Sequence, residues 1–217
     1  MNRRQLLATL LLLVGLILGL DADRPSHRHV FTYANGTFVP LLGAVSRLPQ
    51  KTAPPCPPLP LPGSWDVRDA LYVDLTGDDN TECVLLVWRP WRDWPIMRWS
   101  ETESPIATHR DDLGDSAHVI LVTPHPEDGY LELWAGSALA DPLLKITTGD
   151  VDGNGQRDLV ALEGDYAKGR EGTAHYVTIW HWNGFGFTLD WRSDPGRYRE
   201  IQLADTDGDG ILDIIAW

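Results

Sequence analysis

One nine-residue pattern constrains the fold of this chain more than any other feature. It occurs at 150–158 and 205–213, and in a weaker form at 74–82; we call these segments loop 2, loop 3 and loop 1. Positions 1, 3, 5 and 9 carry oxygen-bearing side chains. Carboxylates two residues apart repel one another unless a cation lies between them, and Ca²⁺ takes six to eight oxygen ligands. The spacing therefore predicts calcium binding by these loops.

The candidate ligands are the side chains at those four positions and, at position 7, a residue whose backbone carbonyl would add a ligand. They are Asp150, Asp152, Asn154, Gln156 and Asp158 in loop 2, Asp205, Asp207, Asp209, Ile211 and Asp213 in loop 3, and Asp74, Thr76, Asp78, Asn80 and Glu82 in loop 1. Gly155 and Gly210 at position 6 allow a sharp turn. A polar turn without metal stays an alternative, above all for loop 1, where Thr76 replaces an acid.

The residues after each loop decide what kind of loop it is. An EF-hand would place Glu at position 12 and continue as a helix, but position 12 is Ala161 or Ala216. The chain instead continues as short, apolar, β-branched runs, which are typical of buried strands. Each unit is therefore predicted to be a loop that leads directly into a strand.

These loop–strand units resemble the FG-GAP/VCBS repeat family, the β-propeller repeats also found in integrin α-subunits and many secreted bacterial proteins. The matching residues are 150–160 and 205–215, and 176–187 resembles the outer hairpin of that family. The resemblance is specific over 145–217 and weaker at 70–90 and 29–42. It implies four-stranded blades with calcium held between the first two strands. It implies no single function, because the fold serves adhesion, ligand display and enzymes alike.

The loop–strand units predict an all-β fold. Because there are three of them, we expect residues 23–217 to form a small or partial β-propeller of about three blades. The segment 30–39 reads as a hairpin around Asn35-Gly36 and has no loop before it, whereas the last unit has no hairpin after its loop. We therefore expect 30–39 and 211–217 to share one sheet, which would cover an exposed strand edge. The Pro-rich segment 49–63 is predicted to be an extended surface crossing.

The N-terminal segment 1–22 is predicted to be a signal peptide or an uncleaved anchor. Its apolar run, Leu6 to Leu20, is too short for a typical membrane span, although Ala22 makes a poor cleavage site. We expect a secreted or surface-tethered protein with a possible membrane tether. In an exported chain Cys56 and Cys83 can form a disulfide, but the sequence leaves this open.

The net charge of −13 excludes a nucleic-acid partner, which would require a basic face. Four tryptophans interleaved with arginines form a second feature: Trp88, Trp91, Trp94 and Trp99. We expect these rings to fill the gaps between blades, and a surface for a glycan or protein partner is the alternative. The oligomeric state is left open.

The sequence contains none of the common catalytic motifs for acyl transfer, phosphate binding or zinc chemistry, so we expect no enzyme activity. The predicted function is that of a calcium-binding propeller module with a binding or structural role. The alternative is a carbohydrate-binding accessory module or the non-catalytic part of a polysaccharide-active enzyme.

Overall fold

The computed structural model describes residues 28–41 and 53–217, and the predicted N-terminal targeting segment lies outside them. Within these ranges the chain forms twelve strands and two short 3₁₀ turns. The strands are β1 His29–Ala34, β2 Thr37–Pro40, β3 Asp66–Val73, β4 Glu82–Pro90, β5 Asp115–His125, β6 Gly129–Ala135, β7 Leu143–Gly149, β8 Asp158–Glu163, β9 Tyr176–Trp182, β10 Phe187–Arg192, β11 Ile201–Ala204 and β12 Asp213–Ala216. None of the helical turns in these residues is long and apolar enough to cross a membrane.

The strands form three four-stranded antiparallel sheets, which we call blades. Blade 1 has the strand order β3-β4-β5-β6, blade 2 the order β7-β8-β9-β10, and blade 3 the order β11-β12-β1-β2. In every blade, one of the three acidic loops joins the first strand to the second. The all-β fold of three four-stranded blades, expected from the repeats, is confirmed and corresponds to a partial β-propeller.

Blade 3 is assembled from two distant parts of the chain. Strand β1 pairs with β12, with Val30 opposite Ile215, and β2 returns along β1 after the turn at Asn35-Gly36. Both turn residues have positive φ, 55° and 82°, as a two-residue hairpin turn requires. The predicted pairing of the N-terminal hairpin with the last strand is confirmed.

Blade 2 lies between the other two blades, and every residue of its second strand, β8, is buried. Leu159 and Ala161 lie in one apolar cluster with residues of blade 1, whereas Val160 and Leu162 lie in another with residues of blade 3. Successive residues of a strand point to opposite faces, so a run that is apolar throughout suits a sheet covered on both sides. Strand β7 likewise packs against both β3 and β11.

Aromatic rings fill the outer rims of the two blade interfaces. Between blades 1 and 2, Trp134 meets Trp182 and Phe187 edge-on, with ring centroids 5.6 and 5.3 Å apart. Between blades 2 and 3, Trp191 packs against Phe31 and Phe38 at 5.2 and 5.4 Å. These edge-to-face and tilted contacts supply bulk where neighbouring blades diverge.

The Pro-rich segment covers the face of blade 1 that points away from blade 2. From residue 53 onward it runs in extended form, and Leu59, Leu61 and Trp65 pack on the buried residues of that face. Cys56 is disulfide-bonded to Cys83, with Cα atoms 5.7 Å apart, and the segment is thereby tied to β4. The predicted crossing role is seen for 53–63, whereas 49–52 lie outside the described residues.

Two details of the strands did not follow from the sequence. Residues 101–117 are mostly polar, yet β5 already begins at Asp115. Asp115 is held by an ion pair with Arg170 of blade 2, and Ser116 is buried against His118, so polar side chains are accommodated in the strand. In addition, the strands that precede the acidic loops, β3, β7 and β11, were implied only by the family resemblance and not by their own residues.

Candidate metal centres

The three loops share one backbone arrangement, which position 1 organises. The carboxylate of Asp150 accepts the N–H groups of Gly153 and Gly155 at 2.8 and 2.9 Å. The Asp74 and Asp205 carboxylates accept the corresponding N–H groups of loops 1 and 3. An aspartate before a turn commonly accepts such bonds. Here the two bonds curl the loop around the first carboxylate.

The side chain at position 5 also accepts a hydrogen bond from a backbone N–H further along each loop. The side chains of Asp78, Asn154 and Asp209 accept the N–H of the residue at position 7, at 2.9, 2.7 and 2.8 Å. The residues at position 7 are Asn80, Gln156 and Ile211, whose backbone carbonyls remain predicted ligands. At position 3, Asp152 and Asp207 accept the N–H of position 5 at 3.0 and 3.2 Å.

Position 9 is the first residue of the second strand and is buried in every loop. Glu82, Asp158 and Asp213 are 1%, 3% and 2% exposed. Each carboxylate accepts the backbone N–H of position 2, from Leu75, Val151 or Thr206. This bond ties the end of the loop to its beginning and fixes the carboxylate at the base of the loop.

The folded loops bring their acids close together. The residues whose ligand atoms lie within 4.8 Å of one another are Asp74, Asp78 and Glu82; Asp150, Asp152 and Asp158; and Asp205, Asp207 and Asp209. Asp213 stands apart from the third group, and its carboxylate contacts the backbone and hydroxyl of Thr206. The structure thus brings three of the predicted acids of each loop close together.

Burial and repulsion between neighbouring carboxylates shift the pKa values of some of these acids. Burial, reinforced by the charges of Asp152 and Asp150, raises the pKa of Asp158 to about 6. Burial, with a smaller contribution from Asp74, also raises the pKa of Glu82. By contrast, hydrogen bonds from Asn80 lower the pKa of the exposed Asp78 carboxyl. A buried carboxylate beside like charges is costly in its ionised form, and a cation would remove that cost.

The donor set fits a hard cation. Carboxylate, amide and carbonyl oxygens are the ligands that Ca²⁺ prefers, and the described loop residues offer no sulfur or imidazole nitrogen. Loop 1 fits less well, since Thr76 offers a neutral oxygen at position 3. It also carries Asp79 at position 6 with φ of 65°, where loops 2 and 3 have Gly155 and Gly210 at 86° and 91°.

Sequence reasoning missed one shared feature of the loops. Position 4 is glycine in all three, at Gly77, Gly153 and Gly208, and φ is 74°, 75° and 84°. This residue donates the shorter of the two bonds to the position 1 carboxylate in each loop. The signal was present, because position 4 is the one place where the three loops are identical after Asp at position 1.

The tryptophan cluster is divided by the fold. Trp88 is fully buried and packs against Tyr166 of blade 2 at 5.4 Å, as expected for a ring between blades. The expectation is wrong for Trp94 and Trp99, which are 41% and 79% exposed. They follow Pro90, where β4 ends, so they project from a loop and not from the sheet.

Blades of four antiparallel strands, with an acidic loop between the first two, define this protein as an all-β repeat protein of the propeller type. Residues 150–216 match the family model of the FG-GAP-like repeat; they run from loop 2 through the last three strands of blade 2 and the first two strands of blade 3. The resemblance predicted from the sequence is therefore confirmed for this region. No curated protein and no solved structure matches the chain.

Proposed function

We propose that the chain is a calcium-binding β-propeller module with a binding or structural role outside the cytoplasm. The observation that carries the proposal is the common geometry of the loops. Three segments that are far apart in the sequence gather three acids each within 4.8 Å and use the same backbone bonds to do so. Polar turns between strands have no need for such a shared arrangement of carboxylates.

The buried acid at position 9 supports a cation in loop 2. Asp158 lies at the start of β8 with only one backbone hydrogen bond, and its raised pKa reflects burial near two other carboxylates. An ionised group in this setting destabilises the folded state unless a positive charge compensates it. Bound calcium would supply that charge, and the loop carboxylates would hold it.

A cation in the loop would also join two strands. Position 1 follows the end of the first strand, and position 9 begins the second, as Asp150 and Asp158 do for β7 and β8. Ligands from both ends of the loop would fix the spacing of the two strands. We therefore assign calcium a stabilising role in this module.

Two features support a location outside the cytoplasm. The disulfide between Cys56 and Cys83 is of a kind that persists in oxidising compartments. The sequence begins with a basic residue pair followed by an apolar run, which favours export or a surface tether. A non-catalytic role is proposed because the sequence lacks common catalytic motifs and its clustered acids are occupied by loop hydrogen bonds.

Calcium titration into chelator-stripped protein, followed by isothermal calorimetry, tests the proposal. We expect two clear sites and one weak site, with dissociation constants near the ~10⁻⁴–10⁻³ M of extracellular modules. The matched control carries both Asp152→Ala and Asp207→Ala and should lose the two clear sites. Absence of binding heat from folded wild-type protein at millimolar calcium would refute the proposal.

A carbohydrate-binding role is the second candidate function. It is favoured by a cleft of about 470 Å³ beside blade 1, which is lined by Trp65 and by the partly exposed Trp94. Screening against a glycan array tests this role. Trp94→Ala should lose glycan binding, and Trp91→Ala, at a neighbouring ring, is the control. Trp91 is less suited to binding, because Arg110 lies over its ring at 4.6 Å.

A further inference from the structure

The cleft lies at the end of blade 1 opposite loop 1. Its walls come from the turn before β3, the end of β4, the loop that follows it, and the residues after β6. The side chains that matter for its chemistry are Trp65, Arg89, Arg92, Trp94, His118 and Ser137. A volume of about 470 Å³ is within the range of small-ligand sites.

Arg89 is the unusual group in this cleft. It is partly buried, and burial lowers its pKa. Its guanidinium lies 5.4 Å from the ring centre of Trp65. Within 28–41 and 53–217, no carboxylate lies within 4.0 Å of it, and the charge of Glu132, which favours its charged form, acts from a greater distance.

Other partly buried arginines in this protein are paired with acids. Arg170 contacts Asp66, Asp111 and Asp115, and Arg68 contacts Asp66 and Glu171. Burying a cation without a partner costs free energy, and Arg92 at the same cleft adds a second positive charge. The site therefore concentrates positive charge on a protein whose net charge is −13.

The remaining polar group in the wall does not neutralise these arginines. His118 is 5% exposed, its Nδ1–H donates to the Gly136 carbonyl at 2.9 Å, and its Nε2 accepts from the Ser116 hydroxyl at 2.8 Å. These bonds fit a neutral ring. The guanidinium groups thus remain available to an anion from outside, with indole faces beside them.

We propose that this cleft binds an acidic saccharide. The carboxylate of a uronic acid residue pairs with Arg89 and, at the mouth, with Arg92, while the sugar ring packs against Trp94. The planar guanidinium fork matches a carboxylate in two parallel hydrogen bonds. The walls are strand ends and loop side chains, whereas peptides commonly bind along a free strand edge, and this favours a saccharide. The inference deepens the second candidate function and does not rest on calcium binding.

Paired ligands test the inference: cellobiouronic acid and cellobiose differ at one ring by a carboxylate in place of a hydroxymethyl group. Isothermal calorimetry on the full chain in a constant calcium buffer should show binding of the acid and at least tenfold weaker binding of cellobiose. Arg89→Gln and Arg92→Gln should each weaken binding of the acid about tenfold or more. Arg98→Gln, at an exposed arginine outside the cleft, should leave it unchanged.

Every other outcome counts against the inference in a distinct way. Equal binding of both sugars would leave carbohydrate binding intact but exclude recognition of the carboxylate. Binding of an acidic peptide without binding of either sugar would assign the cleft to a protein partner. Binding of neither sugar at about 10 mM would overturn both the inference and the second candidate function. Arg92 is exposed, so its variant keeps the test valid if Arg89→Gln fails to fold.

Discussion

Blade 1 and blade 3 have the same kind of loop between their first two strands, yet they are assembled differently. Blade 1 is continuous from Asp66 to Ala135, and a disulfide ties the preceding segment to its second strand. Blade 3 is closed by three residue pairs between β1 and β12, which lie at opposite ends of the described chain. Its strands have four to six residues, against seven to eleven in blade 1.

This difference shows where each blade obtains its stability. Blade 1 has long strands, local connections and a cross-link, whereas blade 3 must bring distant segments together at a cost in chain entropy. Loop 1 departs from the full acidic pattern at Thr76, whereas loop 3 has aspartate at positions 1, 3, 5 and 9. We infer that blade 3 depends more than blade 1 on its core contacts and on its loop.

The largest expected effect comes from the side chain that closes blade 3. Phe31 on β1 is 5% exposed and packs against Trp191 of blade 2. Phe31→Ala should lower the free energy of unfolding by about 3–5 kcal/mol, because it leaves a cavity at the closure. Urea denaturation measures the change. Val39→Ala on the neighbouring strand is the control, because Val39 is 37% exposed and its loss should cost about 0.5 kcal/mol or less.

A loss of less than about 1 kcal/mol in Phe31→Ala would contradict the view that blade 3 is held by this closure.

The second prediction concerns the pH dependence of stability that arises from one residue of blade 1, His118. Burial lowers the pKa of His118 to about 4, and the nearby charge of Arg89 acts in the same direction. The unfolded chain therefore takes up a proton near the ordinary pKa of about 6.5, while the folded chain does not. Stability from this group is present above pH ~6.5 and declines as the pH falls towards 4. The total loss should approach about 3 kcal/mol.

Denaturation across this pH range, compared between the wild type and His118→Gln, measures the contribution. The variant should show a flatter profile, and the difference between the two proteins should shrink as the pH falls. Buried Asp158 acts in the opposite direction in calcium-free protein, because its raised pKa favours the folded state as the pH falls below about 6. The comparison with the variant removes that second contribution, and parallel profiles would contradict the assignment.

The third prediction compares two loop positions. Asp207 occupies ligand position 3 of loop 3, whereas Asp79 occupies position 6 of loop 1 and is absent from the carboxylate cluster there. Asp207→Ala should remove up to about 2.7 kcal/mol of calcium-dependent stability when free calcium is ~100 times the dissociation constant. Asp79→Ala should remove little of it. Unfolding free energies in calcium and in chelator give the calcium-dependent part, and similar losses would show that the loops are misaligned.

The smallest effect concerns the backbone at position 6. Asp79 adopts φ of 65°, a conformation that costs less for glycine. Asp79→Gly should raise the free energy of unfolding by about 0.5 kcal/mol, since relief of the backbone outweighs the greater chain entropy of glycine. Gly210→Asp, the reverse exchange in loop 3, should lower it by a similar amount. A lower free energy of unfolding in Asp79→Gly, or a higher one in Gly210→Asp, would contradict this explanation.

Much of this fold could be predicted because each acidic loop indicates where the strand after it begins. Each acidic loop ends in a buried carboxylate followed by an apolar run, and those runs are β4, β8 and β12. The hairpin at 30–39 was recognisable from Asn35-Gly36. Its pairing with 211–217 was expected because the hairpin has no acidic loop before it and the last loop–strand unit has no hairpin after it. The first strands were harder, because polar residues such as Asp69 and Lys145 interrupt their apolar pattern.

The cleft on blade 1 could not be predicted. Its walls combine Trp65, which precedes β3, with Arg89 and with residues after β6. Only the folded sheet brings these segments together, and His118 is buried there through contacts with Ser116 and Gly136. The sequence did indicate that tryptophans and arginines are interleaved after β4, but it did not indicate which of them are buried.

Thermal unfolding in excess calcium and in chelator tests the central claim most directly, namely that cations held by the loops stabilise the blades. In the proposed function calcium binds the folded loops and not the unfolded chain, so the melting temperature should be higher in calcium by at least about 4 °C. The variant with Asp152→Ala and Asp207→Ala should lose most of this difference. Superimposable melting curves of the wild type in calcium and in chelator would contradict the claim.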